Sequence, residues 1–198
     1  MCVVSPRPLL PDAARPARVA GLAGLLCGPG QIVRFGAGDM ARLSIVLPDP
    51  SSAAAVVAAC AEAGVIVEVT TTESGATAVR TAFRRDLTAL AAAWTRGVTK
   101  AVPAGMRLDG PLLRLWALAA GRPDDCGGYL LALDPHAPGT HRPLVAAATG
   151  AGLGPVLLAR RPGLRISGAR RLRRLAELIG PAPPELPAGH WPRGRIGS

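Results

Sequence analysis

Arginine is the residue whose type and spacing offer chemistry in this chain. Of its 23 basic residues only Lys100 is a lysine, the formal net charge is +10 and the sequence pI is about 11.2. An arginine fork grips phosphate oxygens in pairs, and each phosphate neutralised on a duplex releases counterions. Clusters of arginine therefore suit a polyanion held less tightly as salt rises. Arg160, Arg161, Arg165, Arg170, Arg171, Arg173, Arg174, Arg193 and Arg195 crowd the last quarter, opposed there only by Glu177 and Glu185. A second set, Arg34, Arg42, Arg80 and Arg84, lies among alternating apolar residues in the first half. A solvated helix face in a chain this rich in Arg, Ala, Gly and Pro would give the same surplus in the last quarter, so both readings stand.

Other chemistries find little footing. His136 and His141 lie five apart without a third ligand and read as loop residues. Cys2, Cys27, Cys60 and Cys126 form no CxxC pair, so buried free thiols are expected rather than a zinc site or a disulfide framework. No Ser-His-Asp or Cys-His set is defensible from spacing. Gly150-Ala151-Gly152-Leu153-Gly154 follows a predicted helix and precedes a predicted strand, the reverse of a dinucleotide loop, and reads as a turn. Trp94 and Trp116 fall inside predicted helices and belong to the core, whereas Trp191, in HWPRGR, is the aromatic placed to stack on a partner. No metal, cofactor or small-molecule substrate is expected.

The elements that must position these arginines can be read from periodicity. Residues 1–14, rich in proline, read as a flexible lead-in. RPARVAGLAGLLCG, residues 15–28, reads as one Ala/Leu-rich helix ended by glycine. QIVRFG and MARLSIVLPD form a hairpin about Gly36-Ala37-Gly38-Asp39, with Leu43, Ile45 and Leu47 on one side and Arg42 and Ser44 on the other. Asp49-Pro50 opens a helix that stops at Gly64. VIVEVTTT and ATAVRTAFRR make a second hairpin about Ser74-Gly75, and DLTALAAAWTRG a closing helix ending near Gly97. The order α-β-β-α-β-β-α then recurs after a linker, 98–108. Asp109-Gly110-Pro111 starts a helix to Gly121, GGYLLALDP is a strand whose hairpin partner is not evident, and THRPLVAAATG is a middle helix. GPVLLARR and LRIS form a hairpin over Pro162-Gly163, and Ser167 caps GARRLRRLAELIG. The repeats span 15–97 and 109–181, and a Pro/Gly-rich basic tail, 182–198, reads as loosely ordered.

LAGLLCGPG, residues 22–30, and the looser LRLWALAAG, residues 113–121, occupy equivalent places in the two repeats. The first resembles the LAGLIDADG signature of homing endonucleases. LLRLWALAAGRPDDCGGYLLAL and LRISGARRLRRLAELIGPAP resemble segments of the LAGLIDADG domain in the WhiA family of sporulation regulators. The resemblance covers roughly residues 15–187, mainly by order and spacing. It implies an α/β (α+β) fold of duplicated α-β-β-α-β-β-α repeats about a pseudo-two-fold axis, with small residues where the two lead helices cross. In cleaving members the penultimate motif position is an acid at the foot of each helix, and the two acids hold divalent metals. Here those positions are Pro29 and Ala120, so loss of cleavage is expected. WhiA proteins also carry a helix-turn-helix domain, for which no segment here leaves room.

These readings converge on a non-catalytic, WhiA-like binder of duplex DNA, an accessory transcriptional or sporulation and cell-division regulator. Arg34, Arg42, Arg80, Arg84 and Arg165 would line the sheet face, joined by Arg170, Arg171 and Arg174 of the terminal helix. As a protein partner, a WhiA-like role implies RNA polymerase or a sigma factor. A cytoplasmic, nucleoid-associated location with no membrane span is expected, since no stretch reaches about 18 uncharged apolar residues. The other reading is an interaction module that docks on a transcription component, or on a second copy, without DNA.

Overall fold

A computed structural model describes residues 15–192, so the lead-in, Cys2, Arg193 and Arg195 lie outside the described residues. The first sheet holds β1 (Gln31–Phe35), β2 (Met40–Leu47), β3 (Val67–Thr71) and β4 (Thr77–Thr81). The second holds β7 (Gly121–Pro123), β8 (Tyr129–Ala132), β9 (Val156–Leu158) and β10 (Gly163–Ile166). Both are antiparallel, and their orders correspond: β1-β2-β4-β3 and β7-β8-β10-β9. A two-stranded ribbon, β5 (Thr95–Arg96) with β6 (Thr99–Lys100), lies between them in the chain.

Helices cover one face of each sheet. α1 (Arg15–Gly21) and α2 (Ala23–Cys27) precede the first, α3 (Pro50–Glu62) sits between its hairpins and α4 (Thr88–Trp94) closes it. α5 (Gly110–Ala120), α6 (His141–Gly150) and α7 (Ala169–Ile179) take the matching places in the second. Asp49 caps α3 by accepting from the Ser51 and Ser52 amides, and Asp109 caps α5 through Leu112 N–H. Alternation sorts the strand residues as expected: Ala41, Leu43, Ile45 and Leu47 are buried beneath the helices while Arg42, Ser44 and Val46 point away. One continuous core runs through both repeats, from Leu22, Leu43 and Trp94 to Trp116, Leu131 and Leu175.

α2 and α5 pack side by side, and glycine sets how close they come. A methyl group at Gly24 would lie 2.3 Å from Leu112 O, and one at Gly28 would lie 3.0 Å from Ala120 Cβ. At Gly24 the first helix supplies the small residue and the second the bulk, Leu115 and Trp116, whereas at Gly28 the residue opposite, Ala120, is small as well.

Several expectations need correction. The 15–28 helix is broken at Leu22, where Leu22 N bonds Val19 O and Leu25 N bonds Leu22 O, the tighter three-residue pattern. Gly21 and Gly24 flank the break, a common setting for kinks. The closing helix of the first repeat ends at Trp94, and the residues read as its last turn and as linker form the β5–β6 ribbon. The strand partner that periodicity did not reveal is β7, which starts directly at the end of α5. Ser167 does not cap α7; Gly168, at φ +89°, takes that place without a side-chain bond. Cys27 and Cys60 are buried free thiols, but Cys126 is exposed. The tail is docked through residue 192: Leu186 and Trp191 are buried, Trp191 Nε1 donates to Gly180 O at 2.8 Å, and His190 Nε2 lies 3.1 Å from Gly121 O. Trp191 also lies beneath the Arg114 guanidinium, 5.4 Å from its ring centre, so it is spent inside the molecule. Among the described residues, no helix is long and apolar enough to cross a membrane.

Candidate nucleic-acid interface

Both sheets cover the same helical layer, so their other faces are turned away from it together. Strand register states which side chains share those outer faces. Across the first sheet one row reads Gln31, Ser44, Arg80 and Glu68; across the second the corresponding row reads Arg122, Leu130, Arg165 and Val156. Arg80 and Arg165 thus occupy the same place in the two repeats. Arg122, absent from the sequence-based set, stands where the first repeat has Gln31, one residue past the glycine that ends each motif. Aligning the motif ends would have found it.

The sequence-based arginines divide. Arg42, Arg80 and Arg165 lie on the outer faces. Arg42 packs over Phe83, 4.7 Å from the ring centre, and Phe83 lies 4.9 Å from Phe35. Arg165 pairs with Asp124 at the end of β7, and the Cys126 N–H together with this guanidinium holds the Asp124 carboxyl below the usual carboxylate range. Arg34 and Arg84 are not brought to this surface. Each pairs in register with Ala41, a helix-facing residue; Arg34 reaches Thr95 Oγ1 at the end of α4, and Arg84 forms a two-pronged ion pair with Asp86 at 2.6 and 2.8 Å. One expected sheet-face cation was displaced because Arg34 stands one residue out of phase with Val33 and Phe35. The α7 arginines lie on the helical side. That helix packs on α5 through Leu175 and Ile179, Arg174 reaches back to Ala151 O, and Arg171 lies against Gly154. Arg170 is exposed on the same helix.

Sequence reasoning also missed what stands at the foot of the paired helices. The Lys100 ammonium, at the end of β6, donates to Gly28 O at 2.6 Å, Gly30 O at 2.8 Å and Asp134 Oδ2 at 3.0 Å. Asp134 also accepts from Gln31 Nε2 at 2.6 Å and from His136 N–H at 2.9 Å. Both charged side chains are almost fully buried, at 6% and 2% exposure. Burial pushes Lys100 below the usual lysine range, and the bond to Asp134 only partly offsets it. Burial also opposes charge on Asp134, but the His136, Lys100 and Gln31 donors outweigh it and hold the carboxyl below its ordinary value. A pair of divalent ions bridging both helix feet needs carboxylates from each. Pro29 and Ala120 stand there instead, and a cation from the chain is already bonded to the carbonyls on either side of Pro29, so the residues present do not fit such ions.

No protein-family model matches the chain, and no curated protein matches it. Solved structures do. The homing endonuclease I-WcaI bound to its DNA recognition sequence is similar over 83% of this chain and 80% of that one, with a TM-score of 0.59 at 12% identity. The N-terminal LAGLIDADG domain of DUF199/WhiA is similar over 87% of each chain, with a TM-score of 0.57 at 12% identity. Full-length DUF199/WhiA from Thermatoga maritima gives a TM-score of 0.58 at 13% identity over 86% of this chain, which spans 57% of that longer protein. With its two matching four-stranded antiparallel sheets and a helix pair crossing between them, the chain has the LAGLIDADG homing-endonuclease fold.

Proposed function

We propose that this chain binds duplex DNA across its two outer sheet faces without cleaving it, as a WhiA-like accessory regulator. The observation that carries the reading is the matched placement of Arg80 and Arg165, one in each sheet and both turned away from the helices. Arg42 and Arg122 widen the basic strip, and a duplex presents its phosphates on such a surface at regular intervals. The I-WcaI structure, of the same fold, contains its DNA recognition sequence. Loss of cleavage follows from Pro29 and Ala120 at the helix feet, since neither side chain offers an oxygen to a metal. RNA polymerase or a sigma factor is the partner class that a WhiA-like role would involve.

Titration of a random duplex, followed by fluorescence anisotropy at two salt concentrations, tests this reading. Binding that weakens steeply with salt is expected, together with supercoiled plasmid left intact in magnesium. No binding at the lower salt would sink it. A second reading draws on Val33, Phe35 and Val46, which are 45%, 56% and 52% exposed on the outer face of the first sheet. Apolar exposure of that kind suits a protein partner, and this reading predicts capture of a transcription component, or self-association, without DNA.

A further inference from the structure

Lys100 is the single lysine of a chain with 22 arginines, and its side chain is buried at the foot of the paired helices. Its surroundings explain why a lysine stands there. An ammonium is a compact charge with three N–H groups, and each has an acceptor: Gly28 O, Gly30 O and Asp134 Oδ2. A planar guanidinium presents its donors in a flat fork and cannot point them at three oxygens gathered about one centre. The three acceptors come from two segments far apart in the chain, and the lysine reaches them from the ribbon between the repeats.

Two backbone carbonyls and a carboxylate are also the oxygen set that hard cations take. We propose that Lys100 is a built-in substitute for a bound cation: its ammonium fills an all-oxygen site at the helix feet that a free ion enters only when the lysine side chain is gone. The inference deepens the non-cleaving part of the proposed function and is independent of whether the sheet faces bind DNA. The Asp134 carboxylate is neutralised from within, and the joint between the repeats is closed without recourse to metal in the medium.

The sole lysine gives one side-chain ammonium resonance, which permits a test on the unaltered chain. With 15N-labelled lysine, a single ammonium signal is expected that exchanges slowly with solvent and survives addition of Mn2+. Rapid exchange, or loss of the signal to Mn2+ broadening, overturns the proposal. In Lys100→Ala the thermal midpoint should fall, then recover in part and saturably in ammonium chloride but not in tetramethylammonium chloride of equal strength. Lys100→Ala/Asp134→Ala should show no such recovery. Equal responses to the two salts, or a single variant as stable as the parent, overturn the proposal. A variant that does not fold leaves the resonance measurement to decide. DNA affinity enters none of these readouts, so failure here and failure of the DNA-binding reading remain separate.

Discussion

The two repeats share a topology and differ in almost everything laid on it. The first has strands of five to eight residues, two phenylalanines on its outer face and a lead helix with Gly24 at its closest approach to the second. The second has strands of three or four residues, Arg122 and Arg165 on its outer face, and a lead helix carrying Leu115 and Trp116. What both retain is the arginine on the fourth strand of each chain-order set, Arg80 and Arg165. A duplicated scaffold holds its core to a common plan because packing tolerates few alternatives, whereas each exposed surface is free to take up a separate chemistry.

The differences make the largest predictions. Asp134 belongs to the second repeat alone, and by register Pro48 stands at the corresponding place in the first. Asp134→Ala would leave the Lys100 ammonium buried without its counter-charge, a loss of about 3–5 kcal/mol in a urea titration. A loss below about 1 kcal/mol would mean that the joint does not depend on this one-sided ion pair. The pH dependence has a definite sign. A carboxyl held below its ordinary range adds stability that is present above the ordinary aspartate value and lost as pH falls through the depressed one. Acid titration of stability should therefore be flatter in Asp134→Asn than in the parent.

Gly24→Ala comes next. Its added methyl meets Leu112 backbone oxygen at 2.3 Å, so the helices must part, at about 3 kcal/mol. Gly28→Ala, whose methyl would meet the Ala120 Cβ at 3.0 Å and otherwise only ordinary contacts with Trp116 and Ala132 O at 3.5 and 3.6 Å, should cost about 1 kcal/mol. Equal costs would refute the idea that the helices approach most closely at Gly24. The shared feature gives a smaller effect. Arg80→Glu and Arg165→Glu should each weaken duplex binding about tenfold at low salt and reduce the salt slope by about one. If only one of them matters, a single sheet carries the contact. Phe35→Ala should change duplex affinity by about twofold or less, since phosphate neutralisation dominates that term. A large loss of protein capture in this variant would favour the interaction module instead.

Much of this arrangement could be read from residues in order. Glycines mark the hairpins about Gly36 and Gly75, Asp49 and Asp109 cap where they should, and two motif-like helices in equivalent places point to duplication. The rest depended on what local patterns do not carry. Arg34 was misplaced because its facing depends on pairing with Ala41, a register visible only once the strands meet. β7 is three residues long, too short to show alternation. Lys100 stands out in composition as the sole lysine, but its role requires Gly28, Gly30 and Asp134 to meet, and no spacing along the chain announces that. The docking of Trp191 likewise depends on Arg114 and Gly180, which only tertiary contact brings to it.

That last contact bears on the order in which the molecule can be completed. Arg114, on the central helix, finds its acceptors at Ile179 O and Pro181 O, with Trp191 stacked beside it. During synthesis α5 emerges some seventy residues ahead of that cover, with an apolar flank and a cation both awaiting partners. The cover over Arg114 is therefore among the last parts to be synthesised, and a nascent chain halted before residue 191 would lack the indole that packs against this guanidinium.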